Sequence, residues 1–119
     1  MREIKFRAWH EKLNLMIYDI YVGKSQSEWI DNKGKCWIFE DNIMQFTGLK
    51  DKNGVDIYEG DILTKWDGVK KKVFFSNKYF NFQLAHLDNR GFFDTLEFWN
   101  QKSTEIIGNI YENKELLNN

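Results

Sequence analysis

The stretch Ile62-Leu63-Thr64-Lys65-Trp66-Asp67-Gly68-Val69-Lys70-Lys71-Lys72-Val73-Phe74-Phe75 decides the fold class. Two β-prone runs flank an Asp-Gly dipeptide, the pairing that favours a tight hairpin turn because glycine accepts positive φ without a steric penalty. The same signal recurs upstream, where Asn53-Gly54 separates Gly48-Leu49-Lys50 from Val55-Asp56-Ile57-Tyr58. Both dipeptides predict two-residue type I′ turns. Asn32-Lys33-Gly34 and Asp88-Asn89-Arg90-Gly91 read as longer hairpin loops. Ile4, Phe6 and Ala8 alternate with Lys5, Arg7 and Trp9, and Phe80, Phe82 and Leu84 alternate with Asn81 and Gln83, which is the period of a half-buried strand. Short strands with turns every 8 to 12 residues describe a β-meander that closes into a small barrel or sandwich.

Helix signals are few. Ser25-Gln26-Ser27-Glu28 has the spacing of a capping box, but only Trp29 and Ile30 follow before Asp31-Asn32, so one or two turns is the limit. Asn113 is placed to cap a last turn over Lys114-Glu115-Leu116-Leu117, whose leucines are expected to close an end of the core. A boundary falls near residues 41–46. The chain is therefore expected to hold a small α+β lobe over 1–44 and a barrel over 45–119.

The whole chain has 119 residues, with 17 basic and 18 acidic side chains and a net charge of −1, which argues against a broad polycationic surface. Aromatics make up 17% of it, which excludes disorder. Lysine outnumbers arginine fourteen to three and asparagine occurs twelve times, the bias of an A/T-rich genome. Proline is absent, which suits a chain built mostly of paired strands. The one cysteine, Cys36, lies in the apolar run Cys36-Trp37-Ile38-Phe39 and reads as a small buried hydrophobe in a reducing compartment. No signal peptide and no apolar run of membrane-spanning length are visible, so a cytoplasmic protein is expected.

Few residues point to chemistry. His10 and His86 stand apart from each other and from Cys36, so no metal-ligand spacing exists and no cofactor is expected. Asp51, Asp56, Glu59 and Asp61 bracket the Asn53-Gly54 hairpin. As hairpin chemistry, Asp51 and Asp61 bond turn amides while Asp56 and Glu59 face solvent. An enzyme would need Asp56, Glu59, Asp61 and His86 to converge; no catalytic residue is assigned. The segment Lys65 to Lys78 carries five lysines against Asp67 alone, interleaved with aromatics up to Phe82. Such a segment can bind single-stranded nucleic acid, with Lys70, Lys72 and Lys78 on phosphates and Trp66 as a stacking platform. It can equally protect an edge strand from indiscriminate pairing, and that reading is favoured.

The block Gln45-Phe46-Thr47-Gly48-Leu49-Lys50-Asp51-Lys52-Asn53-Gly54-Val55-Asp56-Ile57-Tyr58-Glu59-Gly60-Asp61-Ile62-Leu63 has a clear identity. With Lys5-Phe6-Arg7-Ala8-Trp9 before it and Ile107-Gly108-Asn109-Ile110-Tyr111-Glu112-Asn113 after it, the chain closely resembles the YopX family of phage and prophage proteins. Two positions depart from the family pattern: His10 replaces the usual Asp after Trp, and Lys114 the frequent Pro after Asn. The resemblance implies an SH3-like barrel behind a smaller α+β part, and a phage or prophage origin. It carries over no catalytic residue. The expected function is thus a non-enzymatic accessory protein that binds another macromolecule, with single-stranded nucleic acid as the alternative partner. Twenty aromatic side chains are more than so small a chain can easily enclose, so a homo-oligomer is also expected.

Overall fold

The structure, a computed structural model, describes residues 3–23, 27–39, 42–65, 67–87, 93–96 and 101–117. It is mainly β. Among the described residues the strands run in the order β1 (Phe6–His10), β2 (Leu15–Val22), β3 (Glu28–Ile30), β4 (Cys36–Ile38), β5 (Ile43–Lys50), β6 (Asp56–Tyr58), β7 (Asp61–Thr64), β8 (Lys70–Ser76), β9 (Asn81–His86), β10 (Phe93–Thr95) and β11 (Glu105–Asn109). They form two antiparallel sheets, and the described helix consists of short 3-10 segments such as Gln101–Ser103 and Lys114–Leu117. The chain divides into two compact units, Met1–Phe46 and Thr47–Asn119.

In the first unit the strand order is β4-β3-β2-β1, followed by the start of β5. β1 and β2 pair in register from Trp9↔Met16 to Arg7↔Tyr18, and Asp19, at φ 56, is then bulged out so that Ile20 meets Phe6. Ala8, Ile17, Ile20 and Phe39 form the core, with Phe6, Trp29, Trp37 and Ile43 packed against it. This unit therefore builds a core of its own. The helical turn expected at Ser25–Glu28 is not supported at its described end: Glu28 opens β3, while Ser25 and Gln26 lie outside the described residues. Pairing of Glu28 with Ile38 and of Trp29 with Trp37 gives these residues more than an isolated turn offers.

In the second unit β5 continues beside β6, and a five-stranded sheet has the order β10-β9-β8-β7-β11. β7 to β10 form a meander, and β11 returns to pair with β7, Glu105 opposite Thr64 and Ile106 opposite Leu63. Ile57, Leu63, Val73, Phe82, Leu84 and Leu96 are its core, and Phe75 meets Phe82 edge to face at 5.2 Å. The sheet is not a closed barrel: β10 and β11 are its two edges, whereas closure requires the outermost strands to pair. The last turn forms as a 3-10 segment, but Leu116 and Leu117 are only half-buried.

Three hairpins share one device. Gly34, Gly54 and Gly68 stand at φ 83, 79 and 77 and donate to the carbonyls of Asp31, Asp51 and Lys65 three residues back. Asn53 and Asp67 are not at positive φ, so neither turn is type I′. In the Asp31 and Asp51 hairpins the first residue also donates to the carbonyl of Lys35 or Val55, so three residues ending in a left-handed glycine form the loop. Asp31 and Asp51 reinforce it from the first position. Asp51 Oδ1 accepts from the amides of Asn53 (2.9 Å) and Val55 (3.0 Å), and Asp31 Oδ1 from those of Lys33 (2.9 Å) and Lys35 (3.0 Å). The Asp88–Gly91 loop lies outside the described residues.

Candidate functional site

The lysine-rich strand is not an edge. β8 lies between β7 and β9, with Lys72 opposite Ile62 on one side and Ala85 on the other. Edge protection is therefore excluded for the lysines, because Lys71 and Lys72 are paired to a strand on each side. Alternation splits the lysines. Lys71 stands opposite Leu63 and His86 on the core face and is buried, while Lys70 and Lys72 take the other face, half-buried and exposed. Their Cα atoms are about 7 Å apart, from the strand rise. Lys78 is near neither, since it sits in the β8–β9 turn, on the order of 20 Å along the hairpin from Lys72. Trp66 lies outside the described residues. Of the three described residues expected to share that surface, the fold brings Lys70 and Lys72 together.

The β8–β9 turn is itself the more unusual feature. Ser76 closes it twice, its carbonyl accepting from the Phe80 amide (2.8 Å) and its Oγ from the Tyr79 amide (3.2 Å). Phe80 is thereby held at φ 56, a left-handed conformation that costs a bulky residue roughly 1 kcal/mol or more. Phe80 is thus a turn residue, and the strand expected to include it begins at Asn81. Nothing covers the strained side chain among the described residues: Phe80 is 79% exposed and Tyr79 62%. Lys78 Nζ lies 5.2 Å from the Tyr79 ring centroid. Sequence reading missed this tip because Phe80 fits the alternation of the strand that follows, although the polar triplet Ser76-Asn77-Lys78 was a usable turn signal.

A second exposed surface lies on unit 1. The Asp19 bulge puts Tyr18 and Tyr21 on one face of β2, opposite to core residues Ile17 and Ile20. Pairing carries that face on through Ile30 and Cys36, and through Glu28 and Ile38. Tyr18, Tyr21, Cys36 and Ile38 are exposed there, with Glu28 the one charge among these side chains. The expectation that Cys36 is buried is corrected: alternation turns Trp37 inward and Cys36 outward. Partial desolvation by its neighbours and the Glu28 carboxylate beside it raise the thiol pKa above its ordinary value, which disfavours the reactive thiolate.

The histidines stay apart. His10 borders an open cleft of about 530 Å³ lined also by Trp9, Glu11, Lys12, Ile38, Phe39 and Asn42. Its Nδ1 accepts from the Leu13 amide (3.1 Å), which puts the neutral ring's proton on Nε2, and its ring meets Trp37 and Phe39 edge-on. His86 ends β9 in the other unit. The carboxylates serve the turns: Asp51 Oδ2 accepts from Ile106 N–H (3.1 Å) and Asp61 Oδ2 from Tyr58 N–H (2.8 Å). Asp56 and Glu59 are half-buried rather than fully exposed, and Asp56 pairs with Lys50 at 3.9 Å. Among the described residues no group of three or more His, Cys, Asp or Glu could hold a metal ion. No described helix is long and apolar enough to cross a membrane.

Comparison with known proteins agrees with this fold. The crystal structure of protein EF1440 from Enterococcus faecalis is similar to the chain at 28% sequence identity and a TM-score of 0.69, covering 98% of this chain and 99% of that one. No curated protein sequence matches. The YopX protein family matches residues 5–118, taking in the N-terminal strand, the Asp51 hairpin and the Asn109–Asn113 turn alike. With that match running through nearly all of its length, the chain belongs to the YopX family.

Proposed function

We propose that this YopX protein is a non-enzymatic macromolecule-binding module of phage or prophage origin, working in the cytoplasm of a bacterial host, and that its first partner is a second copy of itself. The observation that supports the reading is the outer face of β2–β4. Tyr21 and Ile38, 62% and 66% exposed, lie there with Tyr18 and Cys36. Clustered apolar side chains on one sheet face mark an interaction site, whereas scattered ones do not. A second copy suits this face because β4 is an edge strand, paired on one side to β3, and carries neither Lys nor Pro to discourage pairing. A chain charge of −1 gives little repulsion between copies. The non-enzymatic part is supported by the carboxylates, since Asp51 and Asp61 are taken up by turn amides. Unit 2, with its β7–β10 meander and returning β11, we read as the open counterpart of an SH3-like arrangement.

Size-exclusion chromatography with light scattering tests this directly. The expected result is a mass at a multiple of 14.4 kDa at micromolar concentration. Tyr21→Glu combined with Ile38→Glu is expected to give the single-chain mass with the melting temperature of the folded chain retained. A single-chain mass for the unaltered protein overturns the reading.

A further inference from the structure

The β8–β9 hairpin unites three properties that the apolar face of unit 1 lacks. From Gly68 to Leu87 there is no acidic residue, yet the segment holds four lysines in a chain whose net charge is −1. The face opposite to Lys71 carries a half-buried Lys70, an exposed Lys72 and a half-buried Phe74, and the tip carries Lys78, Tyr79 and Phe80. At that tip two aromatic rings project at 62% and 79% exposure, one from a backbone conformation that a phenylalanine rarely adopts. Folding alone gains nothing from Phe80 at such a position, where glycine would sit without strain and no described side chain covers the ring. Lys78 Nζ lies over one face of the Tyr79 ring, which puts a cation beside the aromatic tip and leaves the ring's other face to a ligand.

We infer that the β8–β9 hairpin binds single-stranded nucleic acid, with Tyr79 and Phe80 stacking on bases and Lys78, Lys72 and Lys70 facing the phosphate backbone. The inference rests on the macromolecule-binding reading and names a second class of partner for it. Aromatic rings at a tip suit any base, because every base offers a π-face, so the site is expected to tolerate sequence. The lysines supply charge along the hairpin. A rigid duplex keeps its bases stacked and is a poor ligand for this tip. The strand rise spaces Lys70 and Lys72 by about 7 Å and leaves a longer gap to Lys78, so an extended single strand running lengthwise fits the array.

Fluorescence anisotropy with labelled oligo-dT and oligo-U, on the full chain, is the test. Both strands are expected to bind at low salt, with log affinity falling against log salt at a slope of about −2 for three phosphate contacts. Phe80→Gly is expected to weaken binding about ten-fold or more, the effect of losing one stacked base, while the melting temperature holds or rises as the strain is relieved. Lys78→Gln should reduce the magnitude of the salt slope by about 0.7. Absence of binding at low salt overturns the inference, as does unchanged affinity in Phe80→Gly or binding to anionic phosphatidylserine vesicles in place of the strands. Light scattering keeps the two readings separate: a multimer that ignores oligonucleotides leaves self-association standing, and a monomer that binds them leaves the hairpin site standing.

Discussion

Replacing Asp51 by alanine removes one carboxylate from three amides at once. The side chain is 6% exposed, and it ties its own hairpin to β11: Oδ1 holds the Asn53 and Val55 amides and Oδ2 holds Ile106. A bond to a charged acceptor is worth roughly 1.5–3 kcal/mol, and a donor left without a partner in a partly buried site costs more than the bond itself contributed. Water reaches the exposed hairpin tip more readily than β11, so the Asn53 and Val55 bonds are expected at about 1 kcal/mol each and the Ile106 bond at the upper part of the range. The expected loss is about 4–5 kcal/mol, or a melting temperature lower by roughly 15–20 °C for a chain of this size. Asp51→Asn keeps one acceptor oxygen but sets an NH2 group against a donor, so it should fall between alanine and the parent, at about 2 kcal/mol. Urea unfolding followed by circular dichroism measures both. As a control, Lys52→Ala breaks only the exposed Lys52–Glu105 pair at 3.9 Å and is expected to cost less than about 0.5 kcal/mol. A loss under about 1 kcal/mol for Asp51→Ala, or an Asn variant no better than Ala, refutes the claim that this carboxylate joins hairpin and strand.

Gly108→Ala should destabilise by about 1–3 kcal/mol in the same urea experiment, because its Cβ would lie 2.5 Å from Asn113 Oδ1, which accepts from Asn109 N–H and cannot move freely. Asp31 has its pKa lowered chiefly by the Trp37 indole donor at 2.9 Å, with the Lys35 and Lys33 amides adding to it. A depressed folded-state pKa means that this contribution to stability is present above the ordinary value of 3.8 and is lost as pH falls through the lower folded value. An NMR titration of the Trp37 indole proton should report it, and Trp37→Phe should return the Asp31 midpoint toward 3.8. Cys36 should alkylate with iodoacetamide to completion in the folded protein, since it is exposed, but more slowly than a free thiol at pH 8; Glu28→Gln should speed it by removing a charge that opposes the thiolate.

The hairpins were legible because glycine marks them: Gly34, Gly54 and Gly68 all stand at positive φ. Their type was not, since Asp31 and Asp51 choose it by reaching amides two and four residues ahead, which favours a type I turn over a type I′ turn. The face of each lysine on β8 followed from simple alternation, but its place in the sheet depends on β7 and β9 together, which no local pattern encodes. The exposed face of unit 1 was hidden by a bulge. Tyr18 and Tyr21, three apart, belong on opposite faces of a regular strand, and only the left-handed Asp19 brings them to the same side. Phe80 was misplaced for the reverse reason, because the alternation of β9 continues through it while Ser76 fixes it in a turn. Cys36 sits in an apolar run whose inward member is Trp37, and a three-residue strand is too short for its phase to be read.

Return of β11 to β7 sets a schedule for synthesis. Thr64 meets Glu105 across about forty residues of chain, whereas β8, β9 and β10 each add beside the strand made just before them. At roughly 5–20 residues per second, a ribosome needs about 2–8 s to make that interval. Throughout it the Asp61–Thr64 strand has one neighbour and one open row of donors and acceptors, the condition under which strands of different chains join. Strand β11 thus acts as a seal, and a message that ends before it yields a chain with the strand of the fully buried Ile62 and Leu63 unguarded on one side.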